Sequence, residues 1–85
     1  MDEDLYERLR AWRIAVAAAQ SVPAYVVFTD ATLIALAERR PTSEADLIGI
    51  AGIGPHKLSK YGDAVLALVG GARPDDLVPV VTEKV

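Results

Sequence analysis

At 85 residues and 9.1 kDa the chain is one small domain or a fragment, and its 52% hydrophobic and 25% charged residues suit a globular fold. With no cysteine and one histidine, disulfides, zinc ribbons, thiol nucleophiles and multi-histidine metal sites are excluded. The formal net charge of −3 and pI near 4.9 argue at first against polyanionic partners.

Asp2, Glu3 and Asp4 suit a helix N-terminus, where carboxylates face the positive end of the dipole, and Leu5, Leu9, Trp12, Val16 and Ala19 then recur at helical spacing. Helix one therefore runs to about Gln20, with residues 1–4 as its start. Trp12 lies in the middle of the apolar stripe, so a core role is preferred to a stacking platform. Arg8, Arg10 and Arg13 fall on other faces and are expected to be solvated, with Glu7 pairing to Arg10. Contiguous Asp2-Glu3-Asp4 does not resemble metal-binding carboxylates, which converge from separate elements.

Ser21-Val22-Pro23 breaks the helix. Tyr25 to Phe28 has strand propensity, but no second strand-like run precedes the tail, so Pro23 to Phe28 is read as a buried connection with room for one helical turn. Tyr25 and Phe28 are expected to plug the bundle. Thr29 or Asp30 caps the next helix, whose inner face is Leu33, Leu36 and Ala37 and which Pro41 stops. Arg39 and Arg40 in its last turn serve equally well as dipole partners or as contacts to nucleic acid.

Ser43 and Asp46 have capping-box spacing ahead of Leu47 and Ile50, which predicts a short helix of about two turns. It runs into Gly52-Ile53-Gly54-Pro55. Glycines there permit backbone angles forbidden to other residues, and Pro55 suits the first position of a new helix. In that helix Leu58, Tyr61, Val65 and Leu68 form the core face, while His56, Lys57 and Lys60 fall mostly outside it. Gly62, inside the helix, implies close approach of another helix backbone. Gly70-Gly71 ends the helix, and residues 72–85 are read as a flexible tail or linker following a folded unit at 5–71.

The acidity belongs to the ends. From Leu5 to Ala72 there are 7 basic and 6 acidic residues, a net of +1, so the folded part is nearly neutral. The turn at Gly52 to Pro55, with a helix dipole behind its amides and with His56, Lys57 and Lys60 beside it, is a candidate phosphate seat. Arg39 and Arg40 are further candidates. No nucleophile with a matching base, phosphate-loop motif or metal cluster appears, so neither an enzyme nor a cofactor is expected. The longest apolar runs, Ile14 to Ala19 and Ala64 to Val69, fall far short of a membrane span.

The order of these motifs resembles the HRDC domain, a family named from helicases and ribonuclease D. The matching residues are Leu5-x3-Leu9-x2-Trp12-Arg13, then Val22-Pro23-Ala24-Tyr25-Val26-Val27-Phe28 and Asp30-x2-Leu33. They continue through Pro41-Thr42, Leu47-x2-Ile50-x-Gly52-Ile53-Gly54, Lys57-Leu58 and Tyr61-Gly62. The resemblance implies an all-α fold, a compact orthogonal bundle of about five short helices of the SAM-like kind, with a helix-hairpin-helix-like turn. It also implies an accessory domain of a RecQ-type or UvrD-like bacterial DNA helicase, cytoplasmic and nucleoid-associated and monomeric when isolated. Its partners would be single-stranded or junction DNA, held weakly, and the catalytic core of the parent helicase. Docking on that core with little DNA binding is the alternative.

Overall fold

Helix α1 (Glu3–Gln20) starts where the Asp2 carboxylate accepts the Leu5 N–H at 3.0 Å and ends at Ser21 in the left-handed region. One turn of helix, α2 (Ala24–Val27), follows Pro23, and α3 (Asp30–Arg39) begins at Thr29, whose hydroxyl accepts the Thr32 N–H. Of the two expected caps, Thr29 is the one used. Helix α4 (Glu44–Ile48) is shorter than the expected two turns, and α5 (Pro55–Val69) has Pro55 in its first turn. The computed structural model describes residues 1–77, and among these there are five α-helices and no strand, the all-α bundle that the family resemblance implies.

Long-range hydrogen bonds set the topology. Arg13 of α1 reaches Asp30 at the start of α3, while the Asp2 N–H reaches the Ala37 carbonyl near its end, so α1 and α3 run antiparallel. Gln20 meets the Tyr61 hydroxyl, and Arg8 donates to the Leu68 carbonyl, so α1 and α5 are antiparallel too. Helix α4 packs on α5. Between them lies a core of Leu5, Leu9, Trp12, Val16, Val27, Phe28, Leu33, Leu36, Leu47, Val65 and Leu68, all less than 2% exposed. Trp12, Phe28 and Tyr61 form an aromatic trio at its centre, with ring centroids 5.5–6.0 Å apart. Tilted and edge-on contacts of this kind add to the area they bury.

Several side chains depart from expectation. Arg13 is buried rather than solvated; its guanidinium donates to the Phe28 carbonyl at 3.0 Å and pairs with Asp30 at 2.8 Å. Arg8 pairs with Asp4 rather than standing free, and it satisfies the Leu68 and Ala72 carbonyls at the end of α5. Of the three arginines only Arg10 is exposed, and no Glu7–Arg10 pair forms among the described residues. Tyr25 does not plug the bundle: it is 68% exposed, and Val27 and Phe28 fill that place. Gly62 faces the side chains of Leu58 and Leu47, not a helix backbone. Residues 72–77, expected to begin a flexible tail at 72–85, instead continue the packed structure, with a 3-10 turn at Pro74–Asp76 against α1 and Leu77 on the core; the rest of the expected tail lies outside the described residues.

The start of α4 differs in a way that pH can read. The Ser43 hydroxyl accepts the Asp46 N–H at 3.1 Å, but the Asp46 carboxylate returns to the Thr42 N–H, not to that of Ser43 as a capping box would. That Thr42 bond, with the Ser43 and Thr42 hydroxyls, holds the Asp46 carboxyl below its ordinary value of 3.8. A carboxyl depressed on folding stabilises the fold above its unfolded value and loses that contribution as pH falls through its folded value. Urea denaturation of Asp46→Asn is therefore expected to lose less stability than the parent on acidification from neutrality to below 3.8.

Candidate nucleic-acid interface

The residues from Gly49 to Gly54 join α4 to α5 through a turn that must be tight, because Ile50 and Ile53 are both anchored in the core. Gly52 makes this possible. Its φ is +96°, and a Cβ there would collide with the Thr32 hydroxyl oxygen of α3. Gly54 is different: its φ is −100°, which any residue adopts, and a Cβ would meet nothing within 4 Å. The first glycine is required by the fold, whereas the second leaves open space in front of a helix start.

That helix start carries unused donors. Gly54 is the N-cap of α5 and provides no side-chain cap, and Pro55 has no N–H. Helix geometry leaves the His56 and Lys57 amides without intrahelical acceptors, with the positive end of the dipole behind them. His56 and Lys60 are exposed and Lys57 is half-buried. The Lys57 ammonium lies 5.4 Å from the centre of the Phe28 ring and that of Lys60 5.4 Å from the centre of the Tyr61 ring. A cation over an aromatic face gains about 0.5–1 kcal/mol at an exposed site. Both lysines thus rest on the aromatic trio, which limits where their charges stand.

Of the candidate residues, the structure brings together Gly52, Ile53, Gly54, His56, Lys57 and Lys60. Ile53 can offer only backbone, since its side chain is buried. Arg39 stands where the turn begins: it donates to the Gly49 carbonyl at 3.0 Å and lines an open depression of about 420 Å³ with Pro41, Ala45, Asp46 and Gly49. Arg40 is set apart, paired with Asp2 at the start of α1. Tyr25, one helical turn before Phe28, is an exposed aromatic that the sequence reading assigned to the core. Reading Ala24 to Phe28 as a helix would have found it, because Ala24, Val27 and Phe28 at i, i+3 and i+4 then face inward and leave Tyr25 outside.

Among the described residues no group of histidines and carboxylates could hold a metal ion, and no helix is long and apolar enough to cross a membrane. The turn offers backbone donors and two cations.

Known proteins share this organisation. The family model of the HRDC domain matches residues 2–69. The ATP-dependent DNA helicase UvrD2 of Mycobacterium tuberculosis is 58% identical over 71 residues, 84% of this chain and 10% of the helicase. The ATP-dependent DNA helicase RecQ of Haemophilus influenzae is 41% identical over 68 residues, 80% of this chain and 11% of that protein. The solved D. radiodurans RecQ HRDC domain 3 superposes with a TM-score of 0.78 at 37% identity, covering 82% of this chain and 92% of that one. The chain thus spans about a tenth of the length of these helicases, in which the matching segment is a small accessory unit. From helix order, aromatic core and Gly-Ile-Gly-Pro turn to the family match over residues 2–69, this chain belongs to the HRDC domain family.

Proposed function

We propose that this domain serves a bacterial ATP-dependent DNA helicase, in the cytoplasm at the nucleoid, by binding single-stranded or branched DNA weakly and without sequence preference. The observation that carries this reading is the pair of lysines seated on the Phe28 and Tyr61 rings beside an open helix start. Phosphate would approach over Gly54, where no side chain stands in the way, and accept from the His56 and Lys57 amides. Lys57 and Lys60 would neutralise it, with His56 at the edge and Arg39 at the far end of the turn. The Ile53 backbone belongs to the same turn. Tyr25 would supply a face on which a base of any identity can stack. Arg40, engaged with Asp2, contributes least.

Few phosphates can be neutralised, so affinity should be modest. With about two or three contacts to a single strand, the log-log slope of affinity against salt is expected to be roughly −1.4 to −2.1. Titrating labelled oligothymidylate tests this directly. The double substitution Lys57→Ala, Lys60→Ala should make the slope shallower by about 1.4 while the domain stays folded, the two lost ring contacts costing it no more than about 1–2 kcal/mol. An unchanged slope would remove the turn from the binding surface.

Docking on the helicase core is the second reading, and the charge layout favours it. Asp75 and Asp76 sit on the 3-10 turn packed against α1, the helix whose N-terminus carries Glu3 and Asp4. This acidic end lies at the opposite end of α1 from Gln20 and Tyr61, so the two surfaces could be used together.

A further inference from the structure

We infer that Thr32, on α3 and outside the turn, is the positioning residue that holds the Gly52 turn in its DNA-competent shape; this rests on the reading of the turn as the binding site. Thr32 is only 4% exposed, and its hydroxyl proton does not go to a carbonyl of its own helix. It donates instead to the Ala51 carbonyl at 3.1 Å, across 19 residues of sequence. A hydroxyl has a single proton, and a carbonyl can only accept. In the 3.2 Å contact between the Thr29 and Thr32 hydroxyls, Thr29 must therefore be the donor. Thr29 in turn accepts the Thr32 N–H at 3.3 Å as the cap of α3. Every proton in the set has one direction. The cap of α3 and the turn before α5 form one hydrogen-bonded unit.

Steric contact acts at the same point. The Thr32 hydroxyl oxygen occupies the space in which a Gly52 side chain would lie, so the turn rests directly on it. The Ile53 N–H closes the turn onto the Ile50 carbonyl at 3.1 Å, and two residues later α5 begins. Displacement of Ala51 and Gly52 would therefore move Gly54 and the amides beyond it. Thr32 touches none of the groups proposed to meet phosphate, yet it sets where they stand. No other described side chain outside the turn bonds to Ala51, Gly52 or Ile53.

The test uses the 85-residue chain with Thr32→Val, Thr32→Ser and, separately, Lys57→Ala. Backbone amide exchange and affinity for labelled oligothymidylate at low salt are the readouts. Thr32→Val keeps the branched shape and removes the proton; it should speed exchange at Ile53 about fivefold relative to core amides such as Val65, and weaken binding about fivefold. Thr32→Ser keeps the proton and should restore both. Exchange at Ile53 that follows the core amides in Thr32→Val, or a serine variant no better than valine, overturns the inference. Loss of affinity in Lys57→Ala without loss in Thr32→Val overturns it as well. If Lys57→Ala leaves affinity intact, the DNA-binding reading fails by itself, and exchange at Ile53 then decides whether Thr32 holds the turn.

Discussion

Trp12→Ala is expected to destabilise the domain by about 3–5 kcal/mol, the range for truncating a large buried aromatic side chain. Trp12 is 1% exposed and packs on both Phe28 and Tyr61. Because a domain of this size has only about 3–5 kcal/mol in hand, the variant should be largely unfolded at room temperature. Urea denaturation followed by circular dichroism would measure this. Truncating the exposed Tyr25 to alanine should change stability by less than about 0.5 kcal/mol. The contrast checks the inside-outside assignment of the two rings: a large loss at Tyr25 and none at Trp12 would contradict the packing described above. The proposed DNA surface shares the outcome, because Lys57 and Lys60 rest on the two rings that Trp12 supports.

Gly52→Ala should cost about 2–4 kcal/mol, from two sources acting together. Alanine at a φ of +96° is held in a backbone region that L-residues avoid. Its methyl group also collides with the Thr32 hydroxyl, which is buried and hydrogen-bonded and cannot step aside freely. Gly54→Ala should cost only about 0.5–1 kcal/mol, the loss of a favourable N-cap residue, since the backbone there is ordinary and the space is open. Its effect is expected on DNA instead, because the methyl group narrows the approach to the His56 and Lys57 amides. Denaturation and titration of the two variants side by side separate the roles: stability lost at Gly52, affinity lost at Gly54. Equal loss of stability at both would mean that the turn needs two glycines for its shape.

The two glycines also mark how far the sequence could be read. Gly52-Ile53-Gly54-Pro55 announced a turn and a helix start, and both are present. Which glycine serves the backbone and which leaves room depends on Thr32, twenty residues earlier, and no local pattern reports it. The arginines are a similar case. Helical spacing put Arg8 and Arg13 off the apolar stripe, which is correct as an angle around α1 but incomplete as an environment. Arg13 ends against the Phe28 carbonyl and Arg8 against the end of α5. A long side chain crosses to whichever unsatisfied carbonyl the fold brings near, and burying its stem while its head is bonded is favourable.

The sequence by itself determined α1, α3, α4 and α5 and the apolar face each presents, because periodicity, N-cap chemistry and proline act within one or two turns of chain. It also determined the family, through the order of those elements and the aromatic positions between them. Only the tertiary structure decided that Arg40 is taken up by Asp2 and that Lys57 and Lys60 are seated on aromatic rings. Each of these depends on a partner brought close by packing, and a hydrogen bond or ring contact across tens of residues leaves no periodic trace in the chain.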